Sequence, residues 1–498
     1  MKQLQLLLVL ILLPLGLCAQ GLDDAILNSQ VQYEGTARSM AMGNATGAVG
    51  GDITAMCINP AGLGLYRSQE FTFSLAPQYH FCVTDYYGTS HYTHKFRTTI
   101  PNMGMVITGE SSNYRPLRYF QIGIGLTRTN EFSYRQQTQG LNPSSSMVDS
   151  YLQTIDGIDR LLDPSVDPGN YFKDYYPYDL SPAWETFLID RFYDASGNLY
   201  FDSPVPQGNV WQTDNLTSKG RSEEWTIALA ANYYDKLFVG ASLGLAHIKR
   251  VSTRKYQETP NDELSNFFDW THQEELGDTA WGANVKMGVI YHPASWLRIG
   301  AAWHSRTRYS IGELWSTSTQ TTLKGDQGQR EYYRNLSPST YWTYEFRTPH
   351  VFVGSLAFLI DRRGMVTADL EYMDYGTSRF QYDGDDGANN DIKEVLKSSF
   401  NLRLGTEWRL LQYFLRGGLA YYGSPFGFGE NYGSVKKLGL GFGYAVSQET
   451  SWDFAYELTQ STSGYTPYRF YVDDLNVVED AVRRQWRNKL VVTLKVKL

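Results

Sequence analysis

Several stretches of this 498-residue chain carry residue types that do chemistry in other settings. Gly240-Ala241-Ser242-Leu243-Gly244 spells G-x-S-x-G, the nucleophile pattern of serine hydrolases, which works only at a strained turn from strand to helix. The residues around it alternate as a strand does, so Ser242 reads as one face of a strand and not as a nucleophile. Residues 104–111 resemble a phosphate-binding loop, except that Glu110 stands where the phosphate-gripping lysine must be. Asp383, Asp385, Asp386 and Asp391 are dense enough to hold calcium or to bridge divalent ions to lipopolysaccharide. The glutamate that closes an EF-hand-type loop is missing, and the cluster reads as a solvated acidic loop. His91 and His94 do not have zinc-ligand spacing. The expectation is a protein with no enzymatic chemistry, no cofactor and no metal site.

The charges that remain sit inside an alternating pattern. From Glu70 onward, short segments alternate apolar and polar residues with period two, as strands do when one face meets lipid and the other a polar lumen. Phe71, Phe73, Leu75, Tyr79 and Phe81 share one face of the first; Glu70, Thr72, Ser74, Gln78 and His80 share the other. Further segments start near Ile100, Tyr119, Trp225, Leu237, Trp281, Trp296, Val351, Met365, Ser398, Tyr413, Lys437, Trp452 and Leu490. They make about fourteen strands, the even number a single-chain bacterial barrel requires. The connections sort by parity. Long ones cover residues 83–99, 129–224, 251–279, 310–350, 375–397, 423–435 and 461–489, and short turns such as Asp235-Lys236 lie between them. A transmembrane antiparallel β-barrel explains that sorting; a soluble sandwich or propeller does not. The longest loop, 129–224, is read as carrying a helix capped at Ser144, followed by an aromatic cluster over the barrel mouth. That cluster is the loop's own core or an apolar landing groove.

By the same alternation, Lys286, Arg298, Arg306, Asp369, Glu371, Arg403, Glu407, Arg416, Asp453, Glu457, Lys495 and Lys497 point inward. Their mixed signs suggest a network tying wall to wall or wall to plug. Arg403 and Arg416 are also candidates to clamp a ligand carboxylate, because guanidinium pairs with it bidentately. Gly123 and Gly125 face inward on the third strand, where a plug, a ligand or a kink needs room.

Composition bounds the class. Residues 1–19 have a charged start at Lys2, an apolar run and a small residue at Ala19, the form of an export signal peptide. Cys18 raises lipid modification as an alternative, against which Leu17 stands just before it. Two cysteines then remain, Cys57 and Cys82, enough for one bridge and no disulfide framework. The 37 Tyr, 24 Phe, 12 Trp and 45 Gly are a load that outer-membrane barrels use in girdles and strands. A net charge of -8 argues against a nucleic-acid partner.

Between leader and first strand, residues 35–66 are rich in Gly, Ala and Met, a small-residue segment that fits inside a barrel. Within it, Asn59-Pro60-Ala61 follows Gly50-Gly51-Asp52 and precedes Gly62-Leu63-Gly64. On this motif, and on the leader, strand number and long outer loops, the chain resembles the FadL/TodX family of outer-membrane transporters for hydrophobic compounds. The resemblance implies a fourteen-stranded barrel closed at its periplasmic side by an N-terminal hatch, with Asn59, Pro60 and Ala61 as the hatch motif. It also implies lateral exit of the ligand through a kink in the third strand, near Gly123 or Gly125.

The domain expectation is a signal peptide over 1–19, a hatch over 20–68 and the barrel over 69–498. The functional expectation is passive, hatch-gated diffusion of small hydrophobic molecules, such as long-chain fatty acids, with release into the outer membrane of a Gram-negative-type bacterium. The partners are the hydrophobic ligand, outer-membrane lipid and lipopolysaccharide, and the barrel is expected to be a monomer. The alternative, from the PorV branch of the superfamily, is a partner of secretion-system proteins in protein secretion and surface attachment. No side-chain set in the sequence chooses among fatty acid, haem and aromatic hydrocarbon.

Overall fold

A computed structural model describes residues 21–111, 116–262, 267–361, 363–381, 387–427, 432–473 and 475–498. The leader, with Lys2, Cys18 and Ala19, and three of the clustered aspartates, Asp383, Asp385 and Asp386, lie outside the described residues. Fourteen antiparallel strands close into a barrel. In chain order they are strand 1 (Glu70–Tyr86), strand 2 (Thr89–Thr99 and Asn102–Glu110), strand 3 (Leu117–Glu131 and Tyr134–Asn142), strand 4 (Val210–Tyr233) and strand 5 (Leu237–Pro260). Strand 6 (Phe267–Ala294), strand 7 (Leu297–His304 and Arg308–Lys324), strand 8 (Thr340–Arg347 and Val351–Ile360) and strand 9 (Gly364–Asp374 and Arg379–Gln381) follow. Strands 10 (Ser398–Leu410), 11 (Tyr413–Tyr422), 12 (Val435–Ala445), 13 (Thr450–Tyr465) and 14 (Ala481–Lys497) complete the wall. Strand 14 pairs with strand 1 from Glu70↔Lys497 upward, which removes the free edges an open sheet would carry.

The outer surface explains the alternation. On strand 4, Trp225, Ile227, Leu229 and Tyr233 are exposed; on strand 6, Trp281, Val285, Met287, Val289 and Tyr291; on strand 10, Phe400, Leu402, Leu404 and Trp408. Each run begins and ends on an aromatic residue, with aliphatics between, over the roughly 9–11 residues a strand needs to cross a bilayer. Among the described residues no helix is long and apolar enough to do so.

Several long connections prove to be strand. Residues 83–99 form a hairpin turning at Tyr87-Gly88, and strands 4, 5 and 6 run on well beyond the apolar band. The sequence hid this because above the band water wets the outer face, so a segment such as 210–224 is polar on both faces. What remains of the longest loop, 143–209, folds into a cap with its own core. Helix α4 (Met147–Asp156) starts at Ser146, two residues beyond the expected Ser144, with a capping box to Asp149. Its Met147, Val148, Tyr151 and Ile155 pack with Phe172, Leu180 and Phe201 of the cap, and with Tyr256 and Trp270 of the wall. Buried Glu258 of strand 5 locks the join, accepting from Ser146 Oγ (2.5 Å), Met147 N (2.9 Å), Gln212 Nε2 (2.9 Å), Tyr256 OH (2.6 Å) and Trp270 Nε1 (2.8 Å).

The N-terminal segment fills the lumen as a hatch. It starts high, at the loop end, with α1 (Leu22–Ser29), and descends through α2 (Ala37–Ala41) and α3 (Ala55–Ile58) to a 3-10 turn (Pro60–Leu65) beside the short turns.

Candidate functional site

The motif Asn59-Pro60-Ala61 sits where the hatch meets the wall, and each residue has a separate task. Asn59 Nδ2 donates to Gly47 O (2.7 Å) within the hatch and to Val289 O (3.3 Å) on strand 6, while its Oδ1 accepts from Ala61 N (3.2 Å) to cap the 3-10 turn. Pro60 occupies the first position of that turn, where a missing N–H costs nothing. Ala61, fully buried, packs with Phe238 and Ile290.

The wall facing the hatch is lined with glycine because hatch atoms, backbone at Pro60 and Met42 and side chain at Asn59 and Met56, lie against it. A Cβ on Gly240 would fall 2.4 Å from Pro60 C, one on Gly288 1.9 Å from Asn59 Oδ1, and one on Gly418 2.2 Å from Met42 C. Ser242 of the hydrolase-like pattern donates to Met56 O (2.9 Å), so that pattern seats the hatch. Gly123 and Gly125 belong to the same seat: added carbons there would meet Met56 Sδ and Cε, each at 2.7 Å. Both lie in unbroken ladder, opposite Val106 and Gly104 of strand 2 and Ala228 and Thr226 of strand 4. The irregularities of strand 3 flank these glycines, the first a register shift between Leu117 and Tyr119. The register shifts again between Arg128 and Asn130, and the strand breaks at Phe132-Ser133.

At that break the wall loses a seam. The ladder between strands 2 and 3 runs from Glu110↔Tyr119 to Asn102↔Thr127 and ends with Arg128 N donating to Pro101 O (2.9 Å). Beyond it, Thr89–Thr99 pairs with strand 1 and Tyr134–Asn142 with strand 4, with no ladder between the two. Side chains span the gap instead. Thr93 Oγ1 donates to Arg135 O (2.7 Å), Lys95 Nζ to Ser218 O (2.8 Å), and Arg97 pairs with Glu131 (3.0 Å).

The hatch reaches this gap from within. Gln32 N and Glu34 N donate to Thr129 O (2.9 Å) and Arg128 O (2.8 Å), so the hatch supplies strand 3 with backbone partners where its register shifts. A chain of ion pairs runs the same way, from Lys489 to Glu34, to Arg128 (4.0 Å), to Glu131 (2.6 Å), to Arg97. Burial alone would push the Glu34 carboxyl up, but Lys489 and Arg128 outweigh it and hold the group below the usual carboxylate range.

Above the gap lies an apolar chamber, and α1 fills it. Leu22, Ala25 and Ile26 pack into a cluster with Phe132 from the strand break and with Ile311, Tyr309, Tyr344, Phe346, Met373 and Phe380 from strands 7 to 9. Asp24 ties the helix to Arg250 (2.9 Å). Beneath α1 remains an enclosed cavity of about 40 Å³, lined in part by Val31, Tyr33, Tyr309, Met373, Glu224 and Lys286. It holds a few waters at most, at roughly 10–15 Å³ each.

Arg403 and Arg416 are both committed to carboxylates of the protein itself. Arg403 pairs with Glu371 (3.0 Å) and Asp369 (3.8 Å) across strands 9 and 10. Arg416 pairs with Glu407 (2.6 Å) and Asp453 (2.6 Å), and Glu407 also takes Arg38 of α2 (2.8 Å). This is the wall-to-wall and wall-to-plug network, and it leaves neither Arg403 nor Arg416 free to clamp a ligand carboxylate. Asp52 of the hatch joins it through Lys495 (3.1 Å); burial raises its carboxyl, and Lys495 and Arg38 then pull it well below the usual range.

The other candidates separate. Residues 104–110 are extended in strand 2 and form no loop. His91 and His94 are three apart on a strand and so face opposite sides, His94 stacking on Tyr79. Asp391 is exposed on the helix Gly387–Val395, and no metal-holding group of His, Cys, Asp or Glu occurs among the described residues. Cys57 and Cys82 are both buried and free, so the bridge the sequence left open is not formed. The latch residues Glu34, Arg128 and Glu131 and the helix α1 escaped the sequence reading, although Leu22, Ala25, Ile26 and Ser29 carry a helical i, i+3, i+4, i+7 spacing.

No protein-family model matches the chain, and no curated protein matches it either. Solved structures do. The toluene transporter TodX of P. putida matches at TM-score 0.52 and 13% identity, covering 94% of this chain and 99% of that one. A FadL homologue of Pseudomonas aeruginosa matches at TM-score 0.53 and 11% identity, with coverage of 94% and 99%. The toluene transporter TbuX of Ralstonia pickettii matches at TM-score 0.50 and 14% identity, with coverage of 93% and 99%. At such identity the likeness is one of fold, and it extends over nearly the whole chain: this is the hatch-filled, fourteen-stranded barrel of the FadL/TodX structures.

Proposed function

We propose that this protein is an outer-membrane barrel that passes small hydrophobic molecules by diffusion, with α1 as the movable part of its hatch and the gap between strands 2 and 3 as the exit. The observation that carries the reading is the apolar chamber around α1, which opens onto Phe132 at the one break in the wall ladder of strand 3. A helix packed by Leu22, Ala25 and Ile26 occupies the volume an apolar ligand would take, and a ligand that replaced it would recover about 25 cal/mol per Å² of buried apolar surface. Sideways exit delivers the ligand to lipid without exposing it to water. The aromatic-bordered apolar band and the closed strand 1–strand 14 seam support a monomer in an outer membrane, its loop end facing lipopolysaccharide. Toluene and other hydrophobic compounds are the ligand class suggested by the transporters that share the fold.

The test is uptake of labelled fatty acid or toluene by cells carrying the protein. Removing residues 22–29 should raise uptake, and a disulfide across the gap from Thr93→Cys and Arg135→Cys should abolish it until reduced. Uptake untouched by that cross-link would rule out the lateral route.

A second reading is favoured by the small cavity and by the aromatics exposed at the loop end, among them Tyr193, Tyr200, Tyr332 and Tyr341. It is a partner of secretion-system proteins that needs no passage. Co-purification of such proteins, with no apolar ligand extracted and no uptake after removal of 22–29, would establish it instead.

A further inference from the structure

At the opposite end of the lumen, where hatch and short turns meet, a cavity of about 350 Å³ opens between Gly50-Gly51 and the wall. Four arginines line it: Arg38 from the hatch, Arg298 from strand 7, Arg363 from the turn before strand 9 and Arg409 from the end of strand 10. Glu407 and Asp361 are the acids beside them. Glu407 is already saturated, taking Arg38 at 2.8 Å and Arg416 at 2.6 Å. Arg298, Arg363 and Arg409 have no carboxylate partner among the described residues, whereas the inward cations Arg250, Lys286, Arg403, Arg416, Lys489 and Lys495 each do; Arg409 Nε donates to Leu411 O (3.1 Å). Arg298 donates one guanidinium nitrogen to Val49 O (2.8 Å), and its Nε is buried with no acceptor at all. A buried donor left without a partner carries an uncompensated desolvation cost, so a ligand that accepts from it removes a standing penalty.

We infer that this cavity is an anion site for a phosphate group. Three guanidinium groups without a carboxylate exceed what one carboxylate can satisfy, while a tetrahedral phosphate offers enough lone pairs in several directions to meet them together. Arg363 and Arg409 are exposed at the rim, and Leu65, Leu359, Met365 and Phe414 add apolar surface beside them. The group is a free phosphate or the phosphate of an inner-leaflet phospholipid headgroup; both present the same chemistry. Because Arg38 belongs to the hatch and the other three to the wall, an occupant clamps the hatch against the barrel. The inference stands on this cavity alone and does not depend on what the barrel carries.

The experiment uses the full barrel, delipidated in detergent, titrated with inorganic phosphate by calorimetry, and in parallel examined by native mass spectrometry for retained phospholipid. Binding of phosphate without retained lipid assigns the free anion, and retained phospholipid displaced by phosphate assigns the headgroup. In either case Arg298→Gln should weaken binding by about tenfold or more, the loss of one charge-assisted hydrogen bond, while Arg484→Gln at the loop end should change nothing. Should Arg298→Gln fail to fold, Arg363→Gln with Arg409→Gln, both on exposed positions, serves the same purpose. No phosphate bound and no phospholipid retained would overturn the site, as would arginine variants that bind like the wild type.

Discussion

The two halves of the hatch are held by different physics. Below, residues 36–66 are fixed largely through backbone: Asn59 joins hatch and wall carbonyls, Ala37 N donates to Thr493 Oγ1, and the glycines of strands 5 and 11 let main chain lie against main chain. Above, residues 22–34 are held chiefly by apolar side chains in a chamber, with one pair from Asp24 to Arg250, the latch around Glu34 and two backbone bonds from Gln32 N and Glu34 N to strand 3. Backbone seats are stereospecific and lose everything when displaced. Apolar contacts are non-directional, and another apolar body recovers them. The contrast teaches that the lower half is seated by directional contacts and the upper half chiefly by non-directional ones.

The strongest way to break that contrast is to destroy the lower seat. Gly288→Val together with Gly418→Val places carbons within contact of hatch atoms that cannot retreat, and overpacking at two distant sites should cost about 4–6 kcal/mol. The expected result is a leaky pore in planar-bilayer conductance; a closed pore would refute the seat. Next comes the latch. Glu34→Gln leaves Lys489 and Arg128 buried beside a neutral group, a loss of about 3 kcal/mol. Hydrogen exchange should then rise in Gln32 to Glu34 and in Tyr134–Asn142, with the lower hatch unchanged. Asn59→Ala removes three hydrogen bonds at about 1 kcal/mol each, less what water restores, and should make residues 36–66 sensitive to protease while α1 keeps its protection.

The smallest effect lies outside the membrane, in the cap. Burial lifts the Asp149 carboxyl to about 6, against the Ser146 N–H that lowers it, with neighbouring Glu258 adding to the rise. A carboxyl whose folded pKa is raised binds its proton more tightly in the folded state, so cap stability is greatest below about pH 4 and is lost as pH rises to about 6. The change is on the order of 1 kcal/mol after allowance for partial solvation. Limited proteolysis of residues 143–209 should speed up between pH 5 and pH 7, and Asp149→Asn should flatten that dependence.

Strand number, closure and the hatch were legible because lipid imposes a rule on every residue it touches: outward side chains such as Ile227 and Met287 must be apolar, and each neighbour faces a polar lumen. Where lipid ends, the rule ends, which is why 210–224 and 251–260 passed for loop although they are strand. The candidate site was legible in part. Asn59, Pro60 and Ala61 were found by motif, Gly123 and Gly125 by their inward face, Arg403 and Arg416 by alternation. What each of them touches was not legible.

The sequence by itself determined the barrel, its fourteen strands and the segment that fills it, since these follow from local periodicity and composition. Only the tertiary structure decided that the glycines of strand 3 seat Met56, that the ladder between strands 2 and 3 ends at Pro101 and Arg128, and that Arg403 and Arg416 spend their charge on Glu371 and Asp453. Those are contacts between residues tens to hundreds of positions apart, and no local pattern records which partner a lumen-facing side chain will meet once the barrel has closed.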